Sequence, residues 1–323
     1  MPEQKLTVIR KKVSNLTDDI RNSRHEFIGG SDAGAVLGLS PWKSAFTLWA
    51  EKTGKISSEK EDNDAMRCGR DLENYVANRF MEATGKRLRK DNKRYSLAEY
   101  PYMVGHVDRM VIGEKAGLEC KTANSFQNKE YSSGIYPDQY YAQCQHYMAV
   151  TGAEKWYLAI LCFPHFYWFE IQRDEKEIMA LIEAEQEFWK CVQEDVPPEV
   201  DGSDSTSSTL VQMYPEGTPD DDRYVMIRNA NIKDMSAYFE IKSQIKELEG
   251  IIAEVENELK AALGDAERGF LDEYIITWPT VTSRRLDTKA LKADCPDIYE
   301  KYLKATTSRR FSIKKMKRKE IEE

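Results

Sequence analysis

The stretch YMVGHVDRMVIGEKAGLECKT, residues 102–122, decides the fold of this chain. Two strand-like runs, 102–112 and 117–122, flank a short turn segment from Gly113 to Gly117, which predicts a β-hairpin. Successive side chains of a strand alternate faces, so Glu119 and Lys121 are expected on one face and Cys120 in the opposite layer. The hairpin brings Asp108 from the neighbouring strand toward Glu119. Two carboxylates converging on one point make a hard oxygen site suited to Mg²⁺, with Mn²⁺ as a substitute. A lysine beside them can orient water and offset charge developing on a scissile phosphate. Taken alone, Glu-x-Lys is more commonly just a polar strand face with a cross-strand ion pair.

Outward from the hairpin, a helix is expected over 64–84, with Leu72, Val76 and Phe80 as its buried stripe. Glu73 lies on it, where its side chain could reach the same metal. A second helix, 137–151, carries Gln143 and Tyr147 four residues apart, hence on one face. Strands follow at 155–163 and 165–172, then a helix at 174–194. Toward the N-terminus, IGGSDAGAVLGLSPW (28–42) reads as a Gly-rich turn and a short helix capped by Ser31 or Asp32. Residues 43–53 continue as a helix with Phe46 and Trp49 on one face. Arg24 and Ser31 place a guanidinium and a hydroxyl near a helix N-terminus, a combination suited to a terminal phosphate. Trp42 and Trp49 could stack at a nucleic-acid end, but buried aromatics are the expectation. The pattern is α/β: a mixed central sheet flanked by helices.

The chain has 323 residues, 41% hydrophobic and 32% charged, with a formal net charge of −8. It is too apolar to be disordered, and it lacks a run of about 18 apolar residues that could span a bilayer. The N-terminal residues show no apolar signal core, so a cytoplasmic location is expected, that of the host cell if the chain is phage-encoded. Six cysteines without a CxxC pair or a tight cluster read as reduced thiols. The charge is unevenly spread. Residues 1–194 hold 27 basic and 29 acidic side chains, 195–222 hold eight acids and no base, and 302–319 hold eight bases and no acid. The expected organisation is a first domain over 1–195, an acidic linker over 196–222 and a C-terminal module over 223–323 with a basic tail. Within the first domain, KRLRKDNKR (86–94) supplies Lys86, Arg87, Arg89 and Lys90 as candidate phosphate contacts, or else a solvated loop. Arg10, Lys11 and Lys12 form a weaker candidate.

In the C-terminal module, Tyr238, Ile241, Ile245, Leu248, Ile252, Val255, Leu259 and Ala262 alternate spacings of three and four. That heptad seam predicts a long helix over 232–264, whose seam could pack within the module, on the first domain or against another chain, with packing inside the chain as the simplest use of it. Residues 269–281 read as a strand pair, Asp287 as a helix N-cap and 309–315 as a strand.

The order Arg24-x6-Ser31-Asp-Ala, CGRDLE ending in Glu73, GHVD ending in Asp108, GLECK with Glu119 and Lys121, and AQCQHY from Gln143 to Tyr147 resembles the lambda exonuclease-like, or YqaJ-type, viral recombinase family over about residues 20–195. That family has a PD-(D/E)XK restriction-endonuclease-like core, and here Val-Asp stands in place of Pro-Asp. The resemblance implies Asp108, Glu119 and the backbone carbonyl of Cys120 as metal ligands, with Glu73 assisting. It implies Lys121 as activator of the attacking water, Gln143 as an orienting residue, and Arg24 and Ser31 as holders of a DNA 5′-phosphate; Tyr147, on the same helix face as Gln143, is a further candidate phosphate or DNA contact. It further implies a Mg²⁺-dependent 5′-to-3′ exonuclease on linear duplex DNA, a ring-shaped homotrimer, and a single-strand annealing protein as partner. Competing readings are a catalytically idle DNA-binding or assembly protein on the same fold and a structure-specific endonuclease. An iron–sulfur nuclease is disfavoured by the wide cysteine spacing.

Overall fold

The computed structural model describes residues 6–12, 23–58, 63–217, 227 and 235–313, with the side chain of Asp108 excepted. Contacts divide the chain into two units, one of residues 1–215 with 309–323 and one of residues 216–308.

The first unit is built on a mixed sheet whose strands are β1 (Val8–Lys12), β2 (Ile28–Gly29), β3 (Leu88–Leu97), β4 (Met103–Val111), β5 (Ala116–Ala123), β6 (Lys155–Cys162) and β7 (His165–Gln172). Their order is β1-β3-β4-β5-β6-β7, with β2 pairing β4 in parallel. Neighbours run antiparallel except β5 and β6, which are parallel from Ala116↔Lys155 to Ala123↔Cys162. A parallel pair needs a crossover, and that crossover contains the helix α5 described below. Inside the β4–β5 hairpin, Met110 faces Gly117 and Arg109 faces Leu118, after which the pairing ends. Asp108 and Glu119 are the next residues along.

The helices of this unit are α1 (Gly30–Val36), α2 (Ala45–Lys52), α3 (Asp64–Thr84), α4 (Asn128–Ser132), α5 (Asp138–Thr151), α6 (Glu175–Gln193) and α7 (Asp204–Met213). The stripe of α3 buries Val76, Ala77 and Phe80 against Val111, Leu118, Tyr157, Ala159 and Leu161 on one sheet face. The opposite face packs Tyr95, Val107, Trp156, Leu158 and Ile160 against Cys144, Met148 and Val150 of α5. Close approach at Gly117 makes this possible, because a Cβ there would stand 2.2 Å from the Trp156 ring. Full burial of one such large apolar side chain is worth about 1.5–3 kcal/mol.

Several expectations are corrected. The basic run 86–94 is no loop, since β3 starts at Leu88 and carries its charges on a strand that also buries Tyr95 and Leu97. Strand β1 was not expected either. The first unit runs past residue 195. Within the expected linker, α7 is capped by Ser203 and its Thr206 and Thr209 hydroxyls bond Ser44 and Thr47 of the α2 start at 2.7 and 2.8 Å. Ser and Thr look like solvated linker in composition, but their hydroxyls satisfy one another when buried. Trp49 is buried, as expected, whereas Trp42 is 78% exposed. Gly29, not Ser31 or Asp32, is the N-cap of α1.

In the second unit, α8 (Met235–Leu263) is the heptad helix; residues 232–234 lie outside the described residues. Strands β8 (Arg268–Leu271) and β9 (Tyr274–Thr277) form the hairpin expected within 269–281. Asp287 caps α9 (Thr288–Asp294), accepting from the Lys289 and Ala290 amides, and α10 (Pro296–Tyr302) follows. Residues 309–313, which group with the first unit, adopt no strand, and 314–315 lie outside the described residues. Among the described residues no helix is long and apolar enough to cross a membrane.

Candidate active site

Strand alternation places Glu119 and Lys121 under α5, while Cys120 joins the layer beneath α3. Lys121 Nζ lies 2.7 Å from Glu119 Oε1. Gln143, reaching down from α5, locks both. Its Oε1 accepts from Lys121 Nζ at 2.9 Å, and its Nε2 donates to Glu119 Oε1 at 2.9 Å. One turn on, the Tyr147 hydroxyl accepts from the same Nε2 at 3.0 Å. Lys121 also stands over the Tyr140 ring at 5.0 Å, a contact that favours a cation. Burial works to strip the Lys121 proton, but the Glu119 charge and hydrogen bond outweigh it and raise the pKa above the ordinary lysine value. The group is a fixed ammonium.

Asp108 occupies its expected place in β4, with its side chain outside the described residues. Glu73 projects from α3 and is engaged by the Arg109 guanidinium, whose second nitrogen donates to Asn74 Oδ1 at 2.7 Å. Among the described residues no three His, Cys, Asp or Glu side chains converge as a metal cage. The remaining expected donors are carboxylate oxygens and one peptide carbonyl, hard ligands of the type Mg²⁺ accepts.

Arg24 sits on a single 3₁₀ turn, Arg24–Glu26, and its guanidinium lies 3.9 Å from Asp32 Oδ1. Ser31 is exposed on the first turn of α1. What ties the Arg24 turn to Asp32 of α1 is Lys52, which sequence reasoning missed. Its buried ammonium donates to the Arg24 carbonyl at 2.7 Å, the Phe27 carbonyl at 2.5 Å and Asp32 Oδ2 at 2.8 Å. Asp32 Oδ2 also accepts the Gly29 amide at 3.2 Å. Burial by itself would raise the Asp32 carboxyl, yet Lys52 and Arg24 hold it below its usual range. The available signal was a lysine among the buried Leu48, Trp49 and Ala50 of α2. A second missed pair, His146 and Glu185, joins α5 to α6 with Nδ1 to Oε1 at 2.8 Å and both side chains sealed from solvent.

The basic candidates are partly consumed. Lys86 pairs with Glu114 at 2.5 Å and Arg89 with Asp91 at 2.9 Å, while Arg87 and Lys90 are exposed. The structure also unites two tracks that the sequence keeps apart, because β1 lies beside β3 with Lys11 opposite Arg94 and Lys12 opposite Lys93.

The model of the YqaJ-like viral recombinase domain matches residues 20–154. Part of the chain is similar to the crystal structure of an alkaline exonuclease from Laribacter hongkongensis, at 18% identity and a TM-score of 0.49, covering 55% of this chain and 94% of that one. It is similar also to a phage-related exonuclease from Haemophilus somnus 129PT, at 17% identity and a TM-score of 0.40, covering 55% and 99%. Over both units it is 38% identical to YqaJ of Bacillus subtilis (strain 168), across 320 residues that make up 98% of this chain and 100% of that protein. With that identity sustained along nearly its whole length, the chain belongs to the YqaJ-like viral recombinase family.

Proposed function

We propose that the chain is a Mg²⁺-dependent exonuclease that degrades one strand of linear duplex DNA from 5′ to 3′, leaving 3′ overhangs for a single-strand annealing protein. The observation that carries this reading is the locked cluster of Glu119, Lys121 and Gln143 at the open end of the β4–β5 hairpin. Asp108, Glu119 and the Cys120 carbonyl would hold the metal, with Glu73 joining by exchanging its Arg109 partner. The chemistry Mg²⁺ supplies when bound is neutralisation of phosphate charge and activation of water. Lys121 orients the attacking water and offsets charge growing on the scissile phosphate. Gln143 fixes the direction of both charged side chains, and Tyr147 fixes Gln143. Arg24 and Ser31 would hold the 5′-phosphate at the start of α1, where Ser31 is exposed between the buried Gly30 and Asp32.

The DNA partner is supported by the β1–β3 edge, where like charges face each other across the ladder. Lys93 already has Asp91 within 3.9 Å, and the exposed Lys11 and Lys12 beside it offer further positive charge to DNA phosphates. On the same reading the protein acts in the cytoplasm as a homo-oligomer whose nuclease units form a trimeric ring. The test is digestion of end-labelled linear duplexes, with and without a 5′-phosphate, in Mg²⁺, Mn²⁺ or EDTA. Expected is metal-dependent release of nucleotides from phosphorylated 5′ ends. Digestion that ignores EDTA, or that survives Lys121→Ala, overturns the mechanism, and cutting of closed circles would point to an endonuclease.

A further inference from the structure

Helix α8 is 29 residues long and buries none of them within its unit. Its heptad seam stands open: Ile241, Ile245, Leu248, Ile252 and Val255 are each about half exposed. Alternating spacings of three and four assign Tyr238, Ile245, Ile252 and Leu259 to a positions and Ile241, Leu248, Val255 and Ala262 to d positions. A continuous apolar stripe of this length marks an interaction surface.

We propose that α8 pairs antiparallel with α8 of a second copy of this chain, centred on Gly250. Side-chain volume selects this arrangement. Antiparallel pairing stacks Tyr238 on Ala262, Ile241 on Leu259, Ile245 on Val255 and Leu248 on Ile252 of the other copy. The largest seam residue thus meets the smallest, and the inner layers are matched. Parallel pairing puts Tyr on Tyr at one end and Ala on Ala at the other, overfilling one layer and leaving a void in the other.

Charge selects it independently. In a parallel pair the flanking partners would be Ala237 with Lys242, Gln244 with Glu249, Ile251 with Glu256 and Glu258 with Leu263, none of them oppositely charged. In the antiparallel pair Lys242 of each copy faces Glu256 of the other, twice by symmetry. Ile251, 54% exposed in the single chain, meets its own counterpart across the axis. One opposing contact, Glu249 with Glu249, falls on the opposite flank near the axis, where water screens it. Contacts already present leave the pairing open: Lys242 lies over the Tyr238 ring at 5.3 Å, and Glu256 bonds Lys260 through one oxygen at 3.2 Å. The two chains enter such a pair from opposite ends, roughly 45 Å apart at 1.5 Å per residue.

The test is sedimentation of the full-length protein over a dilution series. The wild type is expected to contain an even number of chains, two alone or six if the nuclease units also form trimers. Ile245→Asp with Ile252→Asp is expected to halve that number while leaving the thermal transition of the first unit in place. Lys242→Glu and Glu256→Lys are each expected to weaken the pair about three- to tenfold, and the double charge swap is expected to restore it. An odd number of chains in the wild type, an unchanged mass in the seam variant, or additive weakening without rescue in the charge swap would each overturn the proposal.

Discussion

Lys52 drives its ammonium into the first unit and meets the Asp32 carboxylate at 2.8 Å, with neither side chain more than 3% exposed. All three of its protons are used, two of them on the carbonyls of Arg24 and Phe27. The turn that carries Arg24 is therefore tied from beneath by a residue of α2.

Lys52→Met strands the Asp32 charge in the interior, and breaking a buried pair from one side costs about 3–5 kcal/mol. Urea unfolding is expected to show that loss, and Lys52→Met with Asp32→Asn should recover a large part of it. Preference for 5′-phosphorylated over 5′-hydroxyl ends should fall in both variants, because the Arg24 turn is untied in each.

Lys121→Ala is expected to lower the rate of nucleotide release by about 10²–10³-fold, the range for removing one preorganised group that stabilises transition-state charge. Gln143→Ala should cost about 10²-fold, as expected when a catalytic group is misplaced by roughly 1 Å. Circular dichroism of both variants should match the wild type, since neither side chain belongs to the apolar core.

Stability should fall as pH rises from near 6.5. Burial pulls the His146 pKa down, but the Glu185 carboxylate and the Val104 carbonyl outweigh it, so the folded value lies above 6.5. A raised histidine adds stability that is complete below its unfolded pKa and lost as pH climbs through the folded one. Burial also raises Glu185 above 4.5, which acts in the same direction. Urea midpoints measured upward from pH 6.5 should decline, and His146→Gln should remove most of that decline.

Lys11→Gln with Lys12→Gln should weaken duplex binding evenly across sequences. It should also flatten the log–log salt dependence by about two, one for each phosphate no longer neutralised. An unchanged salt slope in a filter-binding titration would remove β1 from the DNA path.

Gly30→Ala places a Cβ 2.6 Å from the Tyr147 ring. The ring must move, and its hydroxyl is the partner of Gln143 Nε2. We expect a stability loss of about 1–3 kcal/mol, typical of overpacking, together with reduced nuclease activity. Thermal melts and digestion rates on the same preparation would measure both.

The sequence by itself determined the α3 stripe, the β4–β5 hairpin, helix α5 with Gln143 and Tyr147 on one face, and the split of β5 between Glu119 and Lys121 on one side and Cys120 on the other. Each of these is set by a local period, two along a strand or 3.6 around a helix, so neighbouring residues announce it. Only the tertiary structure decided that the basic run 86–94 enters a strand beside Arg10 to Lys12, because strand pairing joins residues some 80 positions apart and leaves no local mark. It alone decided that Ser and Thr of α7 close over α2, since a hydroxyl reads as solvated until its partner is known. Lys52 beneath Arg24, Glu185 against His146 and Arg109 on Glu73 were hidden for the same reason. A charged side chain reads as surface in sequence, and only packing of distant segments reveals the opposite charge that lets it be buried.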